Sequence, residues 1–199
     1  MNELEDKNFQ VKINTVLKNG GVIAFVTDTV WGVGCLPENA DGVKKIYELK
    51  HRDKSKPLIL MSDKVEYLRP FIKNVSQRAL NAAKKYFPGA LTLIFEHSDK
   101  TPKTITSGLD TVGIRLPDSK TFQKLCAIID GHVLATTSAN LSGEAPAMSY
   151  EEAVEKVGFS VDLVIKPYGE TASGVASTVA MITDNETKIF RQGNIKFED

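Results

Sequence analysis

Short apolar runs alternate along this chain with stretches of helical periodicity, and this alternation restricts the fold more than any other feature. Each run is four or five residues long, rich in β-branched or aromatic residues, and is typical of a buried strand. The runs are Val22–Val26, Leu58–Met61, Leu91–Phe95, Val112–Leu116 and Val133–Thr137, with further strands predicted around Leu163, Val179 and Ile189.

Helical patterns fill the intervals between these runs. A first helical stretch ends at Gly20-Gly21, and a second helix starts at Asn39 or Asp41, either of which can cap it. The other predicted helices are Ser76–Phe87, stopped by Pro88-Gly89, then Thr121–Ile129, and one that starts near Ser149. This alternation predicts an α/β sheet covered by helices. Because no repeat or long linker divides the 199 residues, we expect a single domain.

Composition excludes several classes of protein. The chain has 25 Lys and Arg against 25 Asp and Glu, so bulk charge favours neither nucleic acid nor membrane surfaces. No run approaches the ~18 apolar residues of a membrane-spanning helix, and the first ten residues do not resemble a signal peptide. Cys35 and Cys126 lie far apart and predict buried thiols in a reduced, cytoplasmic protein. The three histidines form no zinc pattern.

The run from Thr111 to Leu116 alternates in polarity. Val112, Ile114 and Leu116 form an apolar face, whereas Thr111, Gly113 and Arg115 form the opposite one. A glycine between a hydroxyl and a guanidinium leaves room for a ligand against the backbone. The residues alone favour the simpler interpretation, an arginine in an ordinary surface salt bridge.

Small hydrogen-bonding residues follow the strand at Val133. Thr136, Ser138 and Asn140 recur at a spacing of two, which suits a polar ligand at the carboxyl edge of an α/β sheet. A turn is the alternative, and the two interpretations are compatible. Because no G-x-S-x-G motif surrounds Ser138, it is not predicted to be a hydrolase nucleophile.

Cations cluster at the end of the second helix. Lys50, Arg52, Lys54 and Lys56 lie within seven residues, which is usually typical of a solvated surface. Their position before a Pro-Leu strand favours an inward, phosphate-binding orientation. Neither common glycine-rich nucleotide motif is present. Spacing alone therefore predicts only an α/β protein that binds an anionic ligand.

Seven segments, in order, resemble the YrdC/TsaC family of threonylcarbamoyl-AMP synthases. They are Thr27–Gly34, Lys50-x-Arg52 with Lys56-Pro57-Leu58, Pro88–Thr92, Gly108–Pro117, Ser138–Gly143, Ser177-Thr178-Val179 and Arg191-x-Gly193. The length resembles the short form of the family. The chain departs from the family pattern at Val26, Trp31 and Ala90, where proline, tyrosine and proline are usual.

The resemblance implies a twisted mixed α/β sheet around a concave pocket, as one YrdC-like domain over residues 1–199. It implies a nucleotidyltransferase that forms threonylcarbamoyl-AMP and pyrophosphate from L-threonine, bicarbonate and ATP, with Mg²⁺ accompanying the ATP and no metal site on the protein. Partner proteins would transfer the product to a tRNA adenosine, and weak RNA binding is compatible with this role.

The resemblance also assigns residues. Lys50 and Arg52 are expected to be catalytic. ATP is expected to contact Arg52, Lys56, Thr111, Ser138, Asn140 and Arg191. Threonine is expected to contact Thr29, Met61, Arg115 and Ser177. No residue is an obvious general base.

Two other functions compete with this one. The first is a sister domain that makes carbamoyl-AMP from carbamoyl phosphate, but such domains usually belong to much longer chains with zinc-finger-like segments. The second is a non-catalytic RNA-binding module that uses the same concave surface. The zero net charge argues against RNA binding as the sole role.

Overall fold

One mixed sheet joins the strands of the computed structural model, which describes residues 3–197; the predicted domain 1–199 extends two residues beyond that range at each end. The strands are β1 (Ile23–Phe25), β2 (Gly32–Cys35), β3 (Ile59–Ser62), β4 (Ile72–Lys73), β5 (Leu91–His97), β6 (Thr111–Arg115), β7 (Val133–Ser138), β8 (Leu163–Val164), β9 (Thr178–Ile182) and β10 (Thr187–Arg191).

The strand order is β10-β9-β5-β6-β3-β7-β2-β1-β8, and β4 pairs with β5 outside this path. Three pairings are parallel, namely β3 with β6, β5 with β9 and β1 with β8. The pairings of β7 with β2 and β3, and of β5 with β6, are antiparallel. The mixed α/β sheet expected from the family resemblance is confirmed.

Helices cover both faces of this sheet. They are α1 (Lys7–Lys18), α2 (Ala40–Leu49), α3 (Val65–Leu68), α4 (Gln77–Tyr86), α5 (Lys103–Thr106), α6 (Lys120–Ile128) and α7 (Tyr150–Val157), with 3-10 turns at Glu3–Glu5 and Arg69–Phe71. Asn39, and not Asp41, caps α2, because its side chain accepts from the amides of Asp41 and Gly42. Ser76 and Ser149 cap α4 and α7 as predicted.

The segment Thr27–Gly34, whose two glycines are typical of turns, contains a central strand. Strand β2 lies between β1 and β7, and its glycines face the ring of Phe25. A Cβ at Gly32 or Gly34 would lie 3.0 or 3.1 Å from that ring, so glycine lets an aromatic side chain lie across the strand. The short elements β4, α3 and α5 were also not predicted.

The apolar core has one layer on each face of the sheet. One layer contains buried residues of α2, α4 and α7 together with the alternate residues Val112, Ile114 and Leu116, which confirms the predicted dry face of β6. The other layer packs α1 and α6 against the sheet, with the rings of Phe25 and Phe122 5.1 Å apart. This second layer covers only part of its face, and the uncovered part carries the candidate site. No helix of residues 3–197 is long and apolar enough to span a membrane.

Removing the Phe122 ring tests the layer under α6. Phe122 is fully buried, so Phe122→Ala is expected to lower the free energy of unfolding by ~3–5 kcal/mol through lost burial and a residual cavity. Urea denaturation measures this change. Phe159→Ala is the matched control, because Phe159 is 97% exposed, and it should change stability by less than ~0.5 kcal/mol. Equal effects would contradict the proposed packing.

Candidate active site

A cavity of about 340 Å³ opens on the sheet face that carries Arg115. Eight of the eleven predicted site residues line it: Thr29, Arg52, Met61, Arg115, Ser138, Asn140, Ser177 and Arg191. Its other walls include Thr27, Trp31, Ile59, Thr92, Thr136, Glu144 and Val179. Residues from β2, β3, β5, β6, β7 and β9 therefore converge on one hollow, although they are far apart in the chain.

Arg115 forms one end of the cavity. Its Nε donates to the carbonyl of Gly89 at 3.0 Å, and Nη1 donates to the hydroxyl of Thr29 at 2.7 Å. Nη2 forms an ion pair with Asp28. The arginine is therefore salt-bridged, as the residues alone suggested, but it is only 2% exposed and belongs to the cavity wall. Burial lowers the pKa of Arg115, and Asp28 opposes that shift.

Asp28 is a residue of this site that the sequence reasoning did not select. Burial raises the pKa of its carboxyl, and the neighbouring Arg115 opposes the rise. Its position next to Thr29, which was expected to contact threonine, was the available signal. Thr27 in turn bonds the Thr29 hydroxyl at 3.0 Å, so this segment holds Arg115 in one orientation.

Ser177 and Arg191 form a side wall. The Ser177 hydroxyl lies 2.9 Å from that of Thr92, and Nη2 of Arg191 donates to it at 3.0 Å. Nε of Arg191 donates to the Ser177 carbonyl at 2.9 Å. Burial lowers the pKa of Arg191. The guanidinium is held at the cavity by β9 and β10, which pair beside β5.

Arg52 lines the cavity from the loop before β3. Its Nε donates to the Lys56 carbonyl at 3.1 Å, and its Nη2 to the Pro57 carbonyl at 2.9 Å. The hydroxyl of Tyr47 also donates to the Lys56 carbonyl, at 2.8 Å. Arg52 is half-buried, and this burial lowers its pKa. Lys56 contributes its carbonyl to this loop, while its side chain is exposed and does not line the cavity.

Lys50 lies behind the cavity wall and does not face the cavity. The side chain is 1% exposed, and its ammonium donates to the carbonyl of Ser138. It also donates to the carbonyl of Asn140 at 2.5 Å and to the side-chain oxygen of Asn140 at 3.0 Å. Its own carbonyl accepts from the amide of Ser142 at 2.9 Å. Burial lowers the pKa of Lys50 to about 7, and the charge of Arg52 adds to this effect. The structure therefore places Lys50, which was expected to be catalytic, outside the cavity lining and against the Ser138–Ser142 loop.

Two further expectations differ from the geometry. Thr111 lies at the start of β6 opposite Glu96, on the face of Arg115 but outside the cavity lining. Gly113 makes room for protein and not for a ligand, because a Cβ there would lie 2.8 Å from the Ile59 side chain.

The strand register separates two ends of the cavity. Met61 pairs with Arg115 on one side and with Leu134 of β7 on the other. Ser138 follows Leu134 by four residues, which corresponds to roughly 13 Å along a strand. Arg115, with the Thr29 hydroxyl bonded to it, therefore lies at one end. Ser138 lies at the other end, together with Asn140 and Glu144, to which it is linked by hydrogen bonds. Residues 3–197 contain no group of three or more His, Cys, Asp or Glu side chains placed to hold a metal ion.

Comparisons with known proteins agree with this architecture. The family model for Sua5, YciO and YrdC proteins, described as telomere recombination, matches residues 15–193. The chain belongs to the Sua5/YciO/YrdC family. The family resemblance inferred from the sequence motifs is thereby confirmed.

Individual members of the Sua5/YciO/YrdC family extend the comparison. A protein of Vibrio campbellii named threonylcarbamoyl-AMP synthase is 36% identical over 190 residues, which are 94% of this chain and 100% of that protein. A protein of Pyrococcus abyssi with the same name is 34% identical over 92% of this chain. This chain spans 53% of the length of the P. abyssi protein. A crystal structure of P. abyssi Sua5 complexed with L-threonine has a TM-score of 0.87 at 32% identity, over 94% of this chain and 55% of that one.

The buried ammonium of Lys50 predicts a pH dependence of stability. Its folded pKa of about 7 is below the unfolded value near ~10.4, so the unfolded chain binds more protons between these pH values. The contribution of Lys50 to the free energy of unfolding should therefore rise with pH in this window, by at most ~1.4 kcal/mol per pH unit. Urea denaturation of the wild type and of Lys50→Met between pH 7 and 10 measures the difference in slope.

Taking the difference between the two proteins cancels the effect of the buried thiols Cys35 and Cys126, whose pKa values burial raises to about 12. Lys54→Met is the matched control, because Lys54 is exposed, and its slope should equal that of the wild type. A Lys50→Met slope equal to the wild-type slope would show that the ammonium keeps its proton throughout this range.

Proposed function

We propose that this chain is a threonylcarbamoyl-AMP synthase, a nucleotidyltransferase that makes L-threonylcarbamoyl-AMP and pyrophosphate from L-threonine, bicarbonate and ATP. The observation that carries the proposal is the two-ended cavity, in which Arg115 and Thr29 lie at one end and Arg52 and Asn140 towards the other. The V. campbellii protein, which this chain covers in full, has that name and supports the assignment.

The Arg115 end suits an amino acid. A guanidinium has five N–H donors, and protein groups take three of those of Arg115, so one on each terminal nitrogen remains for a carboxylate. The hydroxyls of Thr29 and Ser177 lie on the same walls for the polar groups of threonine. The buried side chains of Trp31 and Met61 exclude water beside them.

The other end suits a nucleotide. Arg52 lines this end without an ion pair to a carboxylate of the described residues, so its charge is available to a triphosphate. Arg191, bonded to Ser177 towards the Arg115 end, lines the same cavity and adds a second guanidinium for the phosphates. Ser138 and Asn140 supply small polar groups for the sugar and phosphate oxygens. Lys50 acts on this end as a positioning residue, because it holds the loop that carries them. Direct ATP contacts by Lys56 and Thr111 are not part of the proposal.

The reaction follows from this arrangement. The nitrogen of threonine attacks the carbon of bicarbonate, and water leaves to give the N-carboxylated amino acid. A carbamate oxygen then attacks the α-phosphorus of ATP, and the bond to the leaving pyrophosphate breaks. The protein contributes in two ways. It positions the two substrates, and Arg52 and Arg191 stabilise the charge that develops on the phosphate.

Mg²⁺ is proposed only as the ion that accompanies ATP. Mg²⁺ commonly binds through substrate phosphates and one or two carboxylates, so it needs no dedicated protein cage. Delivery of the product to a tRNA adenosine by partner proteins, in the cytoplasm, completes the proposal. A non-catalytic RNA-binding module gains no support from the relatives, which are named as synthases.

Leaving out one substrate at a time tests the function. Purified protein with ATP, Mg²⁺, L-threonine and bicarbonate is expected to release pyrophosphate, and omission of threonine or bicarbonate should reduce the release to the background of a reaction without protein. A coupled pyrophosphate assay measures the rate, and mass spectrometry identifies the adenylate. Pyrophosphate release that does not depend on threonine would contradict the proposal.

Arg115→Lys tests the amino-acid end. Lysine keeps the charge but loses the planar fork, so the KM for threonine should rise about tenfold or more, with a change in the KM for ATP of less than about twofold. Steady-state kinetics measures both constants, and circular dichroism checks that the variant is folded. An equal rise in both KM values would indicate a general disturbance of the cavity and not a lost carboxylate contact.

A further inference from the structure

Among the described residues, Glu144 is the one acidic residue in the cavity lining. Three guanidinium groups line the same cavity, yet none of them forms an ion pair with Glu144. The Glu144 carboxylate also accepts no hydrogen bond from the described residues. A charged group that lines a cavity and has no protein partner is available to a ligand.

The backbone of Glu144 is held in place, although its side chain has no partner within residues 3–197. The amide group of Asn140 donates to the Glu144 carbonyl at 2.8 Å, and the Glu144 amide donates to the Leu141 carbonyl at 3.1 Å. Asn140 is in turn bonded by the buried ammonium of Lys50. The carboxylate is therefore presented from an ordered loop, at the end of the cavity away from Arg115.

An ionised carboxylate only accepts hydrogen bonds, so its partner must be a donor. Placed beside the triphosphate it would repel the ligand, and the amino acid belongs to the opposite end of the cavity. The ribose offers two neighbouring hydroxyl donors, which match the two oxygens of one carboxylate. An acidic side chain on a ribose hydroxyl is a contact that nucleotide-binding proteins use on other folds.

We propose that Glu144 binds the ribose hydroxyls of the nucleotide and makes the site selective for ribonucleotides over deoxyribonucleotides. This inference rests on the proposed use of ATP. It adds a specificity-determining residue at the rim of the cavity, where the side chain is exposed until a nucleotide binds.

Kinetics with ATP, 2′-deoxyATP and 3′-deoxyATP tests the proposal. The wild type is expected to prefer ATP over at least one deoxy analogue by about tenfold in kcat/KM, which is typical of a hydrogen bond to a charged group. In Glu144→Ala the preference should fall to about twofold or less, because kcat/KM for ATP falls and that for the analogue does not. Glu144→Gln keeps one acceptor oxygen and should be intermediate.

Glu155→Ala is the matched control, since Glu155 is exposed on α7 away from the cavity lining, and it should keep the wild-type preference. Equal loss for ATP and both analogues in Glu144→Ala would overturn the proposal, as would a wild type that does not discriminate among them. A higher Mg²⁺ requirement in Glu144→Ala with an unchanged nucleotide preference would assign the carboxylate to the metal ion and also overturn it.

Failure of the proposed function gives a different result. If the wild type forms no pyrophosphate from ATP, threonine and bicarbonate, the synthase assignment fails. Calorimetry on the wild type and on Glu144→Ala then measures the Kd for ATP and for the two analogues. The ratio of the Kd for each analogue to the Kd for ATP tests Glu144 as the kinetic preference does. An equal Kd for all three nucleotides in the wild type would reject the ribose contact.

Discussion

The buried ammonium of Lys50 is the interaction on which one half of the site depends. A charge without access to water must be satisfied by protein oxygens, and here it is satisfied by the Ser138 carbonyl and two oxygens of Asn140. These contacts require the chain after β7 to fold back over the end of α2. Ser138, Asn140 and Glu144 reach the cavity as a result, although Lys50 itself does not. In the proposed function, Lys50 therefore acts through the loop that it holds.

The opposite half of the site is organised by another buried charge. The orientation of Arg115 is set by Asp28, Thr29 and the Gly89 carbonyl, which come from two separate parts of the chain. Two of its donors remain, so in the proposed function the same group serves both structure and ligand binding. The separation of the two halves along the strands supports the proposed placement of an amino acid at one end and a nucleotide at the other.

The fold was largely predictable because its signals are local. Apolar runs and helical periodicity located most strands and the longer helices, and Ser76 and Ser149 act as the predicted caps. Strand β2 was not predicted, because Gly32 and Gly34 are residues typical of turns. They belong to a central strand only because the Phe25 ring lies across them, and that packing is a long-range property. The short elements β4, α3 and α5 carry too few residues for a periodic signal.

The candidate site likewise has features that the sequence predicts and features that only the tertiary structure decides. The sequence by itself determined the periodicity of the sheet, the membership of the family and most of the polar residues that line the cavity, because residue type and spacing carry that information directly. Only the tertiary structure decided that Lys50 faces away from the cavity and that Thr111 lies outside its lining. It also decided that Gly113 accommodates Ile59. The places of Asp28 and Glu144 in the site were decided in the same way. Each of these depends on strand register and on which partner neutralises or fills a buried position, and such partners are distant in the chain.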